Sequence, residues 1–410
     1  MPETPGLRRV LSLTMLTLYG LGTTVGAGIF VLVGKIAGIS GAYTPVSFLV
    51  ASVLAGLTAL CFAELSSRFP EAAGEAAYVR EGLGSAGLAL LVGLGVAAAG
   101  IVSAAAIVIG FSGYLAEFVS WPPVLTRTGI MVALGALVCW GIRETATVAA
   151  AITVLEIGVL VVVIVAGADL AGRQDPPAAS AAGPGGGYVW VGILSGSVLA
   201  FYAFMGFEDM VNVAEETGDA SRTVPRAIVV TLVATTALYV LVAAVAVRAV
   251  PIAELAASGA PLTLIFERAS GHSGGLVSAL ALVSVLNGAL IQTVMASRML
   301  YGLSRRRALP EWIGRVHPRT GTPLASTVLC VALIVVLATT LPIVTLAEAA
   351  SLVTLAVFAV VDFALLRIKM RASAGPEPPF RVPTWLPALG LIASLGLLAF
   401  GLWQRLAMPL

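Results

Sequence analysis

Eleven long apolar stretches constrain the fold of this chain more than any other feature of its sequence. Each is long enough for a helix to cross a hydrocarbon core of about 30 Å. They account for a composition that is 59% hydrophobic and 11% charged, which excludes an ordinary soluble domain. The sequence therefore predicts an all-α polytopic membrane protein. The stretches span roughly residues 12–36, 42–65, 84–118, 121–141, 146–170, 191–213, 225–249, 275–303, 324–341, 343–367 and 385–406.

The basic residues predict how the chain lies in the membrane, because Lys and Arg concentrate on the cytoplasmic side. With the N-terminus inside, 17 of the 23 basic residues fall on the inner side. The six on the outer side are Lys35, Arg127, Arg173, Arg248, Arg268 and Arg405. We therefore expect a multi-pass protein of the cytoplasmic (inner) membrane with its N-terminus inside. The net charge of +2 is an orientation signal and does not indicate nucleic-acid binding.

The first stretch contains four glycines within nine residues, at positions 20, 22, 26 and 28. Each glycine lowers helix preference by about 1 kcal/mol relative to alanine, so the helix is expected to open here. An opened helix presents N–H groups and carbonyls that suit a carboxylate and an ammonium. The patch then forms half of a zwitterion site at the bilayer midplane. The alternative is close helix packing, since Gly22 and Gly26 have the G-x-x-x-G spacing.

The sixth stretch carries a second interruption, where Gly206 and Phe207 are followed by two acidic residues, Glu208 and Asp209. Paired interruptions at corresponding positions of two halves indicate an inverted-repeat transporter, and they favour helix opening over packing at the first patch. We predict one transmembrane domain over residues 1–410. Its repeats cover about 12–170 and 191–367, separated by an outer loop at 171–190, and an extra C-terminal helix covers about 385–406.

Four groups of motifs, distributed over essentially the whole chain, resemble those of the amino acid–polyamine–organocation permeases, of the bacterial amino acid permease type. They are Val25 to Phe30; Ala63 to Pro70 with Gly74 and Glu75; Ala203 to Glu208 with Ala214 to Glu216 and Pro225 to Ile228; and Ser297 to Pro310 with Thr322 and Pro323. The resemblance implies a leucine-transporter-like fold of five plus five inverted helices, with helices one and six discontinuous. It also implies a secondary active transporter that moves amino acids by alternating access, through proton-coupled symport or exchange.

The chain departs from the family pattern in two ways. Such permeases usually have twelve spans, whereas eleven are found here. Some relatives place a lysine, whose ammonium replaces a sodium ion, where Glu156 stands in this sequence.

The resemblance also implies roles for residues at the two interruptions. The substrate carboxylate is expected to face the backbone N–H groups of Gly26, Ala27 and Gly28. Tyr202 matches the position of an aromatic lid, and Phe207 lines the pocket or packs in the core. The ammonium is expected near carbonyls of the opened segments, around Thr23, Thr24, Ala203, Phe204 and Gly206.

Polar residues inside other stretches are candidates for coupling or gating. A carboxyl at the depth of Glu156 is costly unless it is neutral or paired, so it either couples proton movement to transport or bonds a neighbouring helix. Glu208 is expected to have a structural or proton-linked role. Ser284, Asn287, Gly288 and Ile291 share a face of the eighth helix, where Ser284 is a candidate for coupling and Asn287 a candidate for substrate binding. This helix lacks the adjacent Ser/Thr pair of sodium-coupled relatives.

The sequence contains no nucleotide-binding loop, no nucleophile with a partnered base and no metal cluster. We therefore expect no enzyme activity, no catalytic residue, no cofactor and no metal. The expected partners are an amino acid, protons and the lipid bilayer, without an obligate protein partner. A small neutral amino acid is the first expectation and a cationic one the second. The alternatives are a polyamine or organic-amine exchanger of the same fold, a non-transporting receptor and a channel.

Overall fold

A computed structural model describes residues 11–70, 74–140, 146–171, 189–305, 307–317, 322–371 and 378–407. Most of the expected outer loop at 171–190 lies outside these residues. Short 3₁₀ helices cover Gly41–Tyr43, Tyr202–Phe204 and Phe207–Glu216. The α-helices are α1 (Leu13–Thr24), α2 (Ala27–Phe30), α3 (Leu32–Ser40), α4 (Thr44–Arg68), α5 (Gly74–Leu83), α6 (Ala86–Leu115), α7 (Pro123–Trp140), α8 (Ala146–Ala171), α9 (Val189–Phe201), α10 (Ala220–Ala249), α11 (Ile252–Ala257), α12 (Pro261–Ser270), α13 (Gly275–Arg305), α14 (Leu324–Thr340), α15 (Ile343–Met370) and α16 (Trp385–Ala407).

Every apolar stretch expected from the sequence coincides with one long helix or, at stretches one and six, with an interrupted series of shorter helices. Eight segments of the described residues are long and apolar enough to cross a membrane, and α7 and α14 are shorter apolar helices. The prediction of an all-α polytopic membrane protein with two discontinuous helices is confirmed. The residue limits of the two repeats remain a prediction.

The first interruption is narrower than the glycine patch. Helix α1 continues to Thr24, Val25 adopts an extended conformation (ψ 91°), and α2 starts at Ala27. A Cβ on Gly20 would collide with Met210, and one on Gly22 would collide with Thr153. Close packing therefore accounts for Gly20 and Gly22 inside α1, and within the glycine patch the chain leaves the helical conformation at Val25 and Gly26. A further break at Val31 separates α2 from α3.

The second interruption places an extended residue and a left-handed residue in succession. Met205 is extended (ψ 144°). Gly206 has φ +117°, a backbone conformation that residues with a Cβ atom rarely adopt. The Thr23 hydroxyl donates a hydrogen bond of 2.9 Å to the Gly206 carbonyl. The two interruptions are therefore in direct contact.

The chain just before α1 pairs with the chain just after the 207–216 helix. Leu11 and Thr217 form an isolated parallel β-bridge, and the Gly218 N–H donates to the Leu11 carbonyl at 3.2 Å. This backbone pairing joins the ends of segments one and six on the side where the N-terminus lies.

Candidate substrate-binding site

A cavity lies where the two interrupted segments face α6 and α13. Its volume is about 390 Å³. Such clefts between discontinuous helices are where transporters of this architecture hold small molecules. We call it the central cavity, and it is lined by Thr23, Thr24, Gly26, Gly28, Ser103, Ile107, Tyr202, Met205, Gly288, Ile291 and Gln292.

Backbone N–H groups at the start of α2 border this cavity. The N–H groups of Ile29 and Phe30 both donate to the Gly26 carbonyl at 3.2 Å, so those of residues 26 to 28 precede the first helical hydrogen bonds. A Cβ on Gly26 would meet no atom within 4 Å, whereas one on Gly28 would collide with Ala203. Gly26 therefore faces open space, and Gly28 permits the close approach of the two segments.

The carbonyl at the end of α1 is already engaged. The Tyr239 hydroxyl of α10 donates to the Thr24 carbonyl at 2.7 Å, and the Tyr239 ring packs on Phe204 with centroids 5.2 Å apart. Tyr239 thus satisfies an acceptor that the broken helix leaves without an intrahelical donor.

Replacing Tyr239 with phenylalanine is expected to destabilise the protein by about 1–3 kcal/mol, the cost of leaving a buried acceptor without its donor. The measurement is thermal unfolding of the purified variant in detergent. Tyr43→Phe, at a partly exposed tyrosine after α3, is the control and should leave the melting temperature unchanged. Equal melting temperatures for both variants would contradict the assigned role of the hydroxyl.

The aromatic residues of segment six divide between cavity and core. Tyr202 lines the cavity, and its hydroxyl lies 2.9 Å from the Ser103 hydroxyl of α6. Phe207 is instead buried in an aromatic cluster, with its ring centroid 5.9 Å from Phe62 and 5.5 Å from Phe358. Neither Phe204 nor Phe207 is among the residues that line the central cavity.

Glu208 stabilises the second interruption. Its Oε2 accepts the Gly206 N–H at 2.7 Å, which supplies an acceptor to a backbone donor at the bend. On α13, the Ser284 hydroxyl donates to the Leu280 carbonyl one turn earlier in its own helix. Ser284 is therefore buried and internally bonded, and it is not among the residues that line the central cavity.

Glu156 is fully buried on α8, close to the first interruption. The Asn287 amide of α13 faces its carboxyl, but neither group makes a hydrogen bond of standard geometry among the described residues. Tyr239 also lies within electrostatic range of the carboxyl. Tyr239 therefore lies near Glu156, the predicted coupling residue, and also contacts the Thr24 carbonyl.

Residues 9–406 match the family model for amino acid permeases. The chain belongs to this family. It is 31% identical to the vacuolar cationic amino acid transporter 4 of Arabidopsis thaliana, over 92% of this chain and 65% of that protein. It is 26% identical to a branched-chain amino acid permease of Bacillus subtilis, over 96% of this chain and 88% of that protein. It is 27% identical to a methylthioribose transporter of Bacillus subtilis, over 99% of this chain and 90% of that protein.

The chain spans slightly less than two thirds of the length of the cationic amino acid transporters that it matches. Family membership and the series of apolar helices make it a multi-pass membrane protein. The comparisons confirm the resemblance drawn from the four motif groups.

Several residues of this amino acid permease family member line the cavity without having been expected from the sequence. Gln292 lies four residues after Gly288 on α13, so extending the predicted face of that helix by one turn would have found it. Ser103 and Ile107 lie in an alanine-rich helix where no local pattern marks them. Met205 immediately precedes Gly206, the glycine of the second interruption.

Proposed function

We propose that this protein is a secondary active transporter that moves amino acids across the membrane by alternating access. The observation that carries this proposal is the meeting of two interrupted helices at one cavity, with Gly26 open to it and Gly28 packed against Ala203. The names of the relatives, which include amino acid transporters and an amino acid permease, support it.

In the proposed site, the substrate carboxylate accepts hydrogen bonds from the backbone N–H groups of Gly26, Ala27 and Gly28. The ammonium faces carbonyls of the opened segments, with that of Thr23, which lines the cavity, as the leading candidate because the Thr24 carbonyl already accepts the Tyr239 hydroxyl. Tyr202 covers one side of the substrate, held by its contact with Ser103.

The proposed motion rocks a bundle of four apolar segments against the other helices. The bundle consists of segment one (α1 to α3), segment two (α4), segment six (α9 with the 3₁₀ helices up to Glu216) and segment seven (α10). Helix α10 packs on both α1 and α4, while α6 packs on α13 across the cavity. The substrate lies between these two groups, so tilting one against the other exposes it to alternate sides. We place the protein in the cytoplasmic membrane with the N-terminus inside, on the basis of the distribution of basic residues.

We propose that Glu156 couples transport to protons. A carboxyl that is fully buried, with neither a cation nor a hydrogen bond of standard geometry among the described residues, is stable as the neutral acid. Ionisation would favour an arrangement of α1, α8 and α13 that brings water or a donor to this carboxyl. The competing interpretation is a neutral carboxyl that only fills the helix interface.

Replacing Glu156 with glutamine is expected to make uptake insensitive to an imposed proton gradient while exchange of internal for external substrate continues. The amide keeps the shape of the neutral carboxyl but cannot release a proton. The measurement is uptake and counterflow in proteoliposomes with and without the gradient. Glu117→Gln, at an exposed position after α6, is the control. Unchanged dependence on the gradient in the Glu156 variant would refute the coupling role.

The transport proposal itself is tested by counterflow of radiolabelled amino acids in proteoliposomes, because this assay needs no driving ion. Accumulation of at least one amino acid above the level in protein-free liposomes is expected. Counterflow of polyamines alone would assign the protein as an amine exchanger. Ion currents far above carrier turnover would indicate a channel, and no flux of either kind would leave a receptor.

A further inference from the structure

A second cavity adjoins the central one and has a different chemistry. Its volume is about 480 Å³. Met205 and Gln292 line both cavities. On α6 it is lined by Val96, Ala99 and Gly100, which precede Ser103 by one to two helical turns. It therefore lies toward the side of the membrane where α4 ends and α6 begins, and we call it the inner cavity.

Three carboxyl groups line the inner cavity: Glu75 from α5, and Glu208 and Asp209 from segment six. Glu75 is 1% exposed and Asp209 is 7% exposed. Among the described residues, Glu75 Oε2 and Asp209 Oδ2 have no hydrogen-bond partner, in contrast to Glu208 Oε2, which accepts the Gly206 N–H. No lysine or arginine is among the residues found to line this cavity. Buried carboxyls that line a cavity without hydrogen-bond partners indicate a ligand that brings donors and positive charge.

The walls identify the kind of cation. Within the part of the chain that the structure describes, no three acidic, histidine or cysteine side chains lie close enough together to hold a metal ion. Most of the remaining lining is apolar and includes Met295, Val357 and Phe358. Such walls suit the methylene stem of a long cationic side chain, whose head stays with the polar groups. An aromatic face also attracts an organic cation.

The spacing of the residues that line the two cavities on α6 is comparable to the length of one such side chain. Ala99 of the inner cavity and Ser103 of the central cavity are four residues apart, about 6 Å along the α6 axis. Lysine carries its ammonium on a flexible four-carbon stem. A substrate can therefore leave the central cavity past Met205 and Gln292 with its cationic head directed at the carboxyls.

We propose that the inner cavity is a separate binding site for a monovalent organic cation, an alkylammonium or alkylguanidinium group, held between Glu75 and Asp209. Resting on the proposed transport function, this assigns amino acids with cationic side chains as substrates that bind there on the way out of the central cavity. The site needs no carboxylate on its ligand, which distinguishes it from the central one.

The protonation of Glu75 sets the pH dependence of this site. Burial raises the pKa of Glu75, in the helix that connects α4 and α6, to about 7. Glu208 and Asp209 of segment six and Tyr78 of its own helix lie within electrostatic range of Glu75, whose charge acts on each of them. The residues that α6 and α15 contribute to the cavity do not titrate. A protonated Glu75 attracts a cation less, so cation binding weakens as the pH falls through about 7.

The test is isothermal titration calorimetry of the purified full-length protein with n-butylammonium and n-butylguanidinium chloride, above pH 7. Each isosteric variant, Glu75→Gln and Asp209→Asn, is expected to raise the dissociation constant about tenfold or more, since each removes a charge-assisted contact. Glu81→Gln, on the exposed face of the same helix, is the matched control. Met295→Lys, which tethers an ammonium in the cavity, should also abolish binding.

The outcomes separate this site from the central one. Gly26→Leu should lose amino acid binding and retain n-butylguanidinium binding if the cavities act separately. Undiminished probe binding in folded Glu75→Gln and Asp209→Asn variants, judged by a monodisperse gel-filtration peak, would overturn the proposal. Displacement of the probe by sodium chloride but not by choline chloride would assign an inorganic cation and also overturn it. If no amino acid is transported while probe binding still depends on Glu75, the transport function fails and the cation site stands.

Discussion

Replacing Gly26 with leucine is expected to abolish amino acid binding and transport without unfolding the protein. A Cβ at this position meets no atom within 4 Å, so the leucine side chain extends into the central cavity. There it displaces the substrate carboxylate from the backbone N–H groups of α2. Loss of two hydrogen bonds to a charged group, at about 1.5–3 kcal/mol each, weakens binding by about 100-fold or more.

Equilibrium binding of the amino acid that shows counterflow measures this effect, together with thermal unfolding of the variant without substrate. Gly396→Leu is the matched control, because Gly396 lies in α16, where an added Cβ also meets no atom within 4 Å. Only the Gly26 variant should lose binding, and both should unfold near the wild-type temperature. Wild-type affinity in the Gly26 variant would place the substrate elsewhere.

Replacing Gly206 with alanine is expected to destabilise the protein and abolish transport. The residue has φ +117°, and holding a side chain in such a backbone conformation costs about 1–3 kcal/mol. The added Cβ would also lie 2.5 Å from the Thr23 carbonyl oxygen, too close for any real contact. Relief requires the two interrupted segments to separate, which breaks the hydrogen bond from the Thr23 hydroxyl.

The measurements are the melting temperature in detergent and counterflow in proteoliposomes. Gly129→Ala serves as the comparison, since an added Cβ there meets no atom within 4 Å and the residue lies inside α7, where alanine is preferred to glycine. It should equal or exceed the wild type in stability. A Gly206→Ala variant that melts and transports like the wild type would show that this bend does not constrain the site.

The sequence predicts the helices and both interruptions because apolar length and glycine content act locally. It predicts the limits of the first interruption less well. Gly20 and Gly22 have the same local signal as Gly26, yet both lie inside a helix and pack against Met210 and Thr153, which are distant in sequence. Local propensity cannot distinguish a glycine that opens a helix from one that lets another helix approach.

Side chains that surround the site from other helices are the part that sequence reasoning could not supply. Nothing near Tyr239 in the sequence indicates that its hydroxyl reaches the Thr24 carbonyl. Glu75 lies in an amphipathic connection where a carboxyl is ordinary, and only the fold places it beside Asp209 in a buried cavity. Conversely, Phe207 was a candidate because of its position beside the glycine, but packing turns it toward Phe62 and Phe358.

The backbone pairing of Leu11 with Thr217 bears on how the molecule moves. Because these two backbone segments are hydrogen-bonded to each other, we expect the start of the first segment and the end of the sixth segment to move together. Spin labels at Ser12 and Gly218 should keep a constant separation throughout the transport cycle. The separation between either label and one on Arg298 of α13 should alternate between two values as the inner cavity opens and closes.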